Sequence, residues 1–157
     1  MQTVNMTFRE AINTALQEEM ERDPSVILLG EDVGRHGGAR GVTKGLWQKF
    51  GSTRVIDTPI SELAISGASC GAALGGLRPV AECYIGDIII YMADSLVTSS
   101  ARMHFATGGE LKVPLVIRGA DGSRPDGGPH QDTFANWFAN VPGLKVVMPS
   151  TPRDAKG

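Results

Sequence analysis

The sequence predicts an α/β domain with a mostly parallel sheet and helices on both of its faces. Three observations carry this. Short apolar, β-branched runs recur along the chain, segments with apolar residues at helical spacing separate them, and several of the runs are apolar throughout rather than alternating. Uninterrupted apolar strands between helices are the pattern of a parallel sheet covered on both sides.

The elements follow in order. TFREAINTALQEEMER sets Phe8, Ile12, Ala15, Leu16 and Met20 on one helical stripe, and Asp23-Pro24 stops that helix before SVILLG, a buried strand. TKGLWQKFG reads as a short helix, RVID as a strand, Ser61 to Gly76 as a helix of small residues, and RPVAECYI as a further strand. A long helical stretch is expected through IIIYMADSLVTSSARMHFA, broken by Gly108-Gly109, and then two strands buried on both faces, VPLVIRGA and LKVVMPS. In STPRDAKG, Ser150 or Thr151 supplies an N-cap and Pro152 the first helical position, so the sequence reads as cut short where a helix begins. On this reading residues 1–157 form one domain.

Composition excludes several classes of function. With 157 residues, 41% of them hydrophobic, the chain is long enough to bury a core of its own. A net charge of −2 with scattered Lys and Arg offers no face for nucleic acid. Cys70 and Cys83 are the only cysteines and no His stands at metal spacing, which argues against a disulfide framework or a structural zinc site. No apolar run reaches the roughly 20 residues of a membrane span, and the amphipathic, acid-bearing start is unlike a targeting segment, so a cytoplasmic protein is expected.

The candidates for chemistry are few. Gly67, Gly71 and Gly75 fall four residues apart on the small-residue helix, with Ala64, Ala68 and Ala72 beside them. Each Gly costs about 1 kcal/mol relative to Ala, so close approach of another backbone, within the domain or across a subunit interface, is expected to offset it. Glu62 sits in the first turn of that helix, where a carboxylate suits the helix dipole whether or not it has a further role. GEDVGRHGGARG follows a strand but matches neither dinucleotide nor mononucleotide loop spacing. His130 lies in the Gly- and Pro-rich GADGSRPDGGPHQD, a loop that suits a catalytic histidine but more often holds a solvated one.

LLGEDVG, GVTKGLWQKFG, RVIDTPISE, the helix leading to GLRPVAE, ARMHFATGG, PLVIRG, PGLKVVMPS and DAKG occur in this order over nearly the whole chain. Together they resemble the β chain of the E1 component of 2-oxo acid dehydrogenase complexes, of the pyruvate, branched-chain and acetoin types. The resemblance implies a transketolase-like pyrimidine-binding domain, the N-terminal part of a longer β chain, which shares thiamine diphosphate with an α subunit holding Mg2+. It implies decarboxylation of a 2-oxo acid with acyl transfer to a lipoyl-bearing E2, a second β chain as partner, and no activity for this stretch alone. By position it assigns Glu62 to the cofactor's pyrimidine nitrogen, His130 to the substrate-derived intermediate, and Glu31 to proton passage between paired sites. Ile60 and Tyr84 line the pyrimidine pocket, and the Leu115 carbonyl joins a K+ site. Three positions depart from the family pattern. Ile88 stands where an aromatic residue packs on the aminopyrimidine, His130-Gln131-Asp132 replaces His-Ser-Gln, and Asp94-Ser95 replaces Asp-Gln. Those departures leave a non-catalytic interaction module as the alternative, and an unrelated nucleotide-binding α/β protein as the third.

Overall fold

A computed structural model describes residues 5–121 and 130–157. Its sheet has four parallel strands in the order β2-β1-β3-β4, namely β1 Val26–Gly30, β2 Val55–Asp57, β3 Arg78–Cys83 and β4 Val116–Gly119. The helices are α1 Phe8–Arg22, α2 Leu46–Phe50, α3 Glu62–Leu74, α4 Ala101–Ala106, α5 Ala135–Ala139 and α6 Pro152–Lys156.

β1 explains why both faces are covered. All five of its residues are buried, and successive side chains point to opposite sides of the sheet. Val26 and Leu28 join Leu16 and Met20 of α1, Leu46 of α2 and Val55 of β2 in one core. Ile27 and Leu29 join Ile65 of α3, Ala81 and Cys83 of β3, Met92, Leu96 and Phe138 in the other. Burying a Leu as completely as Leu28 contributes about 1.5–3 kcal/mol, so the uninterrupted run stabilises two interfaces at once.

The ends of α1 and α6 are set locally. Thr7 and Glu10 form a reciprocal capping box, the Thr7 hydroxyl accepting from the Glu10 amide at 3.3 Å and the Glu10 carboxylate accepting from the Thr7 amide at 2.7 Å. Of the two expected N-caps for the last helix, Thr151 fills the position and accepts from the Asp154 amide. Lys156 then reaches Glu18 at 2.8 Å, tying α6 to α1.

Three expectations change. The stretch from Gly86 to Ala106 is helical but not one α-helix: it winds tightly as 3-10 over Gly86–Met92, widens to π over Asp94–Ser100 and becomes α only at Ala101. Its start is held from outside, because the Gly86 amide donates to the Ala120 carbonyl at 3.0 Å, and Ile88 and Ile89 pack on the core, so tertiary contacts rather than propensity set the winding. β4 is shorter than VPLVIRGA and is an edge strand, with Val116 54% exposed, not a strand buried on both faces. LKVVMPS forms no strand. A strand exists only when a neighbouring backbone takes up its amides and carbonyls, and this segment is not laid along the free edge of β4, so Val147 and Met148 stay exposed.

Candidate functional site

The register aligns Gly30 with Asp57 on one side and with Glu82 on the other, so the carboxyl ends of β1, β2 and β3 form one edge. In an open parallel sheet this edge is where ligands bind. Glycine is required at Gly30, where a Cβ would stand 2.8 Å from the Glu82 Cβ. The loop after β1 folds onto the end of β2: the Gly34 amide donates to Asp57 Oδ1 at 2.6 Å and the Arg35 amide to Oδ2 at 3.3 Å. The Thr58 amide donates to the Gly30 carbonyl at 3.0 Å, which directs Pro59, Ile60 and Ser61 along the edge and starts α3 at Glu62.

Glu62 is half-buried at the first position of α3. Ser61 occupies the N-cap without a side-chain cap bond, and among the described residues no hydrogen bond or ion pair engages the Glu62 carboxylate. Near it the Thr58 hydroxyl is buried without a partner, and Ile60 is 80% exposed. Burial raises the Glu31 carboxyl above its ordinary value, and the charges of Glu62 and Asp32 add to the rise, so Glu31 and Glu62 share one local field. Cys83 at the end of β3 is pushed up to about 12, first by burial and then by Glu62, Glu82, Glu31 and Asp87. A thiol in that setting is inert.

Two pairs at this edge were not singled out from the sequence. Glu82, 1% exposed, takes a two-pronged contact from Arg118, its register partner on β4, with Nε donating to Oε2 at 2.9 Å. Burial raises the Glu82 carboxyl and the guanidinium opposes the rise. Asp87, 7% exposed, accepts from His130 Nδ1 at 3.2 and 3.3 Å. A signal for Asp87 does exist in the sequence: an acid directly after a glycine at the end of a buried strand.

The sequence-assigned residues divide accordingly. Glu31, Glu62 and Ile60 come together at the edge between β1 and α3, whereas His130 is held at the β3 end by Asp87. Tyr84 is half-buried just beyond β3, and Ile88 packs against the core that contains Met92 and Leu96. Leu115 precedes β4 and so lies toward the amino edge of the sheet. Among the described residues, no group of three or more His, Cys, Asp or Glu is placed to hold a metal ion. Two surface grooves, one lined by Glu19, Arg22, Asp23, Val26 and Arg78 and the other by α1 residues with Gly41 and Lys44, include neither Glu62 nor His130. The carboxyl edge thus presents functional groups on an open face.

Comparison with known proteins gives a consistent picture. The family described as "Transketolase, pyrimidine binding domain" matches residues 4–157. The chain is 45% identical over 153 residues to the mitochondrial pyruvate dehydrogenase E1 component subunit beta-2 of Oryza sativa subsp. japonica, covering 97% of this chain and 41% of that protein. It is 44% identical over 156 residues to the mitochondrial pyruvate dehydrogenase E1 subunit beta of Ascaris suum, covering 99% and 43%. To the corresponding Bos taurus subunit it is 44% identical over 155 residues, covering 98% and 43%. The chain therefore spans less than half the length of these relatives.

Proposed function

The chain belongs to the transketolase pyrimidine-binding domain family, and from that premise we propose that it forms the aminopyrimidine half of a thiamine diphosphate site in a 2-oxo acid dehydrogenase E1, as the β subunit or its N-terminal part. The observation that carries this is the Glu62 carboxylate, fixed at a helix start on the carboxyl edge and claimed by no other group among the described residues. The surroundings fit an aminopyrimidine: an acid for a ring nitrogen, the unpartnered Thr58 hydroxyl for a polar edge, and exposed Ile60 for an apolar face.

Thiamine diphosphate, held on this side by Glu62, Thr58 and Ile60, would supply an acidic thiazolium carbon and an electron sink for decarboxylation. Glu62 would hydrogen-bond the pyrimidine nitrogen from the first turn of a 13-residue helix, which fixes its carboxyl group. Glu31, whose carboxyl burial raises, feels the charge of Glu62 and suits a proton relay. His130 would offer the substrate the ring nitrogen that Asp87 leaves free. The diphosphate and Mg2+ fall to an α subunit, and a K+ ion near the Leu115 carbonyl, a lipoyl-bearing E2 and a cytoplasmic location complete the proposal. The exposed face of α3, with Gly67 and Gly71, is the surface for a second β chain. This chain alone is inactive on this reading, since it offers one side of a cleft.

A non-catalytic module is the second reading, favoured by Ile88, which is aliphatic and packs on its own core instead of offering an aromatic face. The substitution Glu62→Gln in the α/β enzyme separates the two. The amide cannot pass a proton to the ring, so hydrogen-deuterium exchange at the thiazolium carbon should fall by orders of magnitude while the melting temperature stays within a few degrees. Exchange at the parental rate would remove Glu62 from the mechanism.

A further inference from the structure

We propose that Asp87 is a positioning residue for His130: its buried carboxylate takes the Nδ1 hydrogen, fixes the imidazole tautomer, and leaves Nε2 as the nitrogen available to the substrate-derived intermediate. This rests on the function proposed for His130. An ionised carboxylate only accepts, so the contacts of 3.2 and 3.3 Å to its two oxygens place the hydrogen on Nδ1. The partners differ in exposure in the useful direction. Asp87 is sunk in the protein, with its side chain 7% exposed, and His130 is 44% exposed, so the acid is the fixed member and the imidazole the accessible one.

Asp87 is itself fixed by its neighbours. Gly86 lies so close to the end of β4 that a Cβ on it would fall 1.6 Å from Asp121 Oδ1, and its amide bonds to the Ala120 carbonyl. Asp121 in turn accepts from the Thr133 hydroxyl. Both described flanks of the segment between 121 and 130 therefore converge on the Gly86-Asp87 turn. Asp87 and His130 are 43 residues apart, so the pair depends on the tertiary fold and not on a local turn. The pairing follows the logic of a buried acid that orients a catalytic imidazole, here supplied from the end of a parallel strand.

The test reads the tautomer first and activity second. In the 15N-labelled chain at pH 8.5, long-range 1H–15N correlation should show His130 with hydrogen on Nδ1. The variant Asp87→Ala should move it to Nε2, and Asp87→Asn, whose amide oxygen still accepts, should keep it on Nδ1. A parent with hydrogen on Nε2, or Nδ1–H retained in Asp87→Ala, overturns the proposal. In the α/β enzyme, Asp87→Ala should lower kcat on the order of 10²-fold with KM changed less than threefold, with partial rescue in Asp87→Asn, and an unchanged kcat also overturns it. An assembled parent without turnover of any 2-oxo acid would defeat the proposed function instead, and the tautomer measurement would stand apart from that failure.

Discussion

A Cβ on Gly86, at the corner where β3 leaves the sheet, would sit 1.6 Å from Asp121 Oδ1, whereas a Cβ on Gly71, midway along α3, would meet none of the described residues within 4 Å. The sequence sets Gly71 in a stripe of small residues and Gly86 among Tyr84, Ile85 and Ile88, so only the first stands out by pattern. Their reasons lie in different places. At Gly86 the missing side chain is used inside the chain, letting the end of β4 close on the turn that carries Asp87. Along α3 and its C-cap, Leu63, Ala64, Gly67, Ala68, Gly71 and Gly75 form an exposed face, and of its three glycines only Gly67 is placed so that an added Cβ would meet a described residue beyond the helix, Ser95 Oγ at 3.6 Å. Among the described residues, close packing within the domain, one of the two explanations open from the sequence, is absent at Gly71, which leaves the proposed subunit interface as the other.

The sharpest way to break this contrast is Gly86→Ala. The added methyl must displace Asp121 or open the Gly86–Ala120 hydrogen bond, and overpacking of this kind costs about 1–3 kcal/mol. We expect a lower urea midpoint together with loss of the His130 tautomer signature, because the turn carrying Asp87 moves with it. Parental stability in Gly86→Ala would show the corner to be slack.

The same contrast explains what was legible beforehand. The alternation of strand and helix, the two-faced cover and an N-cap at Ser150 or Thr151 were all readable because each depends on local pattern: the apolar run of β1, the stripe of α1, a Ser-Thr pair followed by Pro. LKVVMPS was misread for the converse reason, since its composition suits a strand but pairing needs a neighbour that the pattern does not specify. Glu62 and His130 were assigned through family position and not through local pattern. The partnership of His130 with Asp87, and of Arg118 with Glu82, was not, because residues 43 and 36 apart meet only after the sheet is assembled.

A second measurement probes the inner region through Cys83, which shares the end of β3 with Glu82. Its thiol ionises at about 12 in the fold, against about 9 when free of it. The folded state keeps a proton that the unfolded chain releases, so this contribution to stability is fully present below about pH 9 and is lost as pH rises from there toward about 12. At pH 9 the folded thiol stays protonated, and iodoacetamide should label Cys83 only as fast as the chain opens. Labelling at the rate of a free thiol would place Cys83 outside the buried edge.

The smallest effect expected on the chain itself comes from Gly71→Leu, and its smallness is the point. Leu is the better helix former by up to about 1 kcal/mol, and the space around Gly71 is open, so the isolated chain should melt at or slightly above the parental temperature. Assembly should respond in the opposite sense. A leucine between two closely approaching backbones costs about 1–3 kcal/mol, enough to shift the sedimentation profile of the α/β enzyme toward smaller species at low micromolar concentration. A variant that is destabilised alone would mean that α3 packs within its own domain after all. One that stays stable and fully assembled would mean that the exposed face of α3 has no partner, and the glycines at 67, 71 and 75 would then need a reason other than close approach.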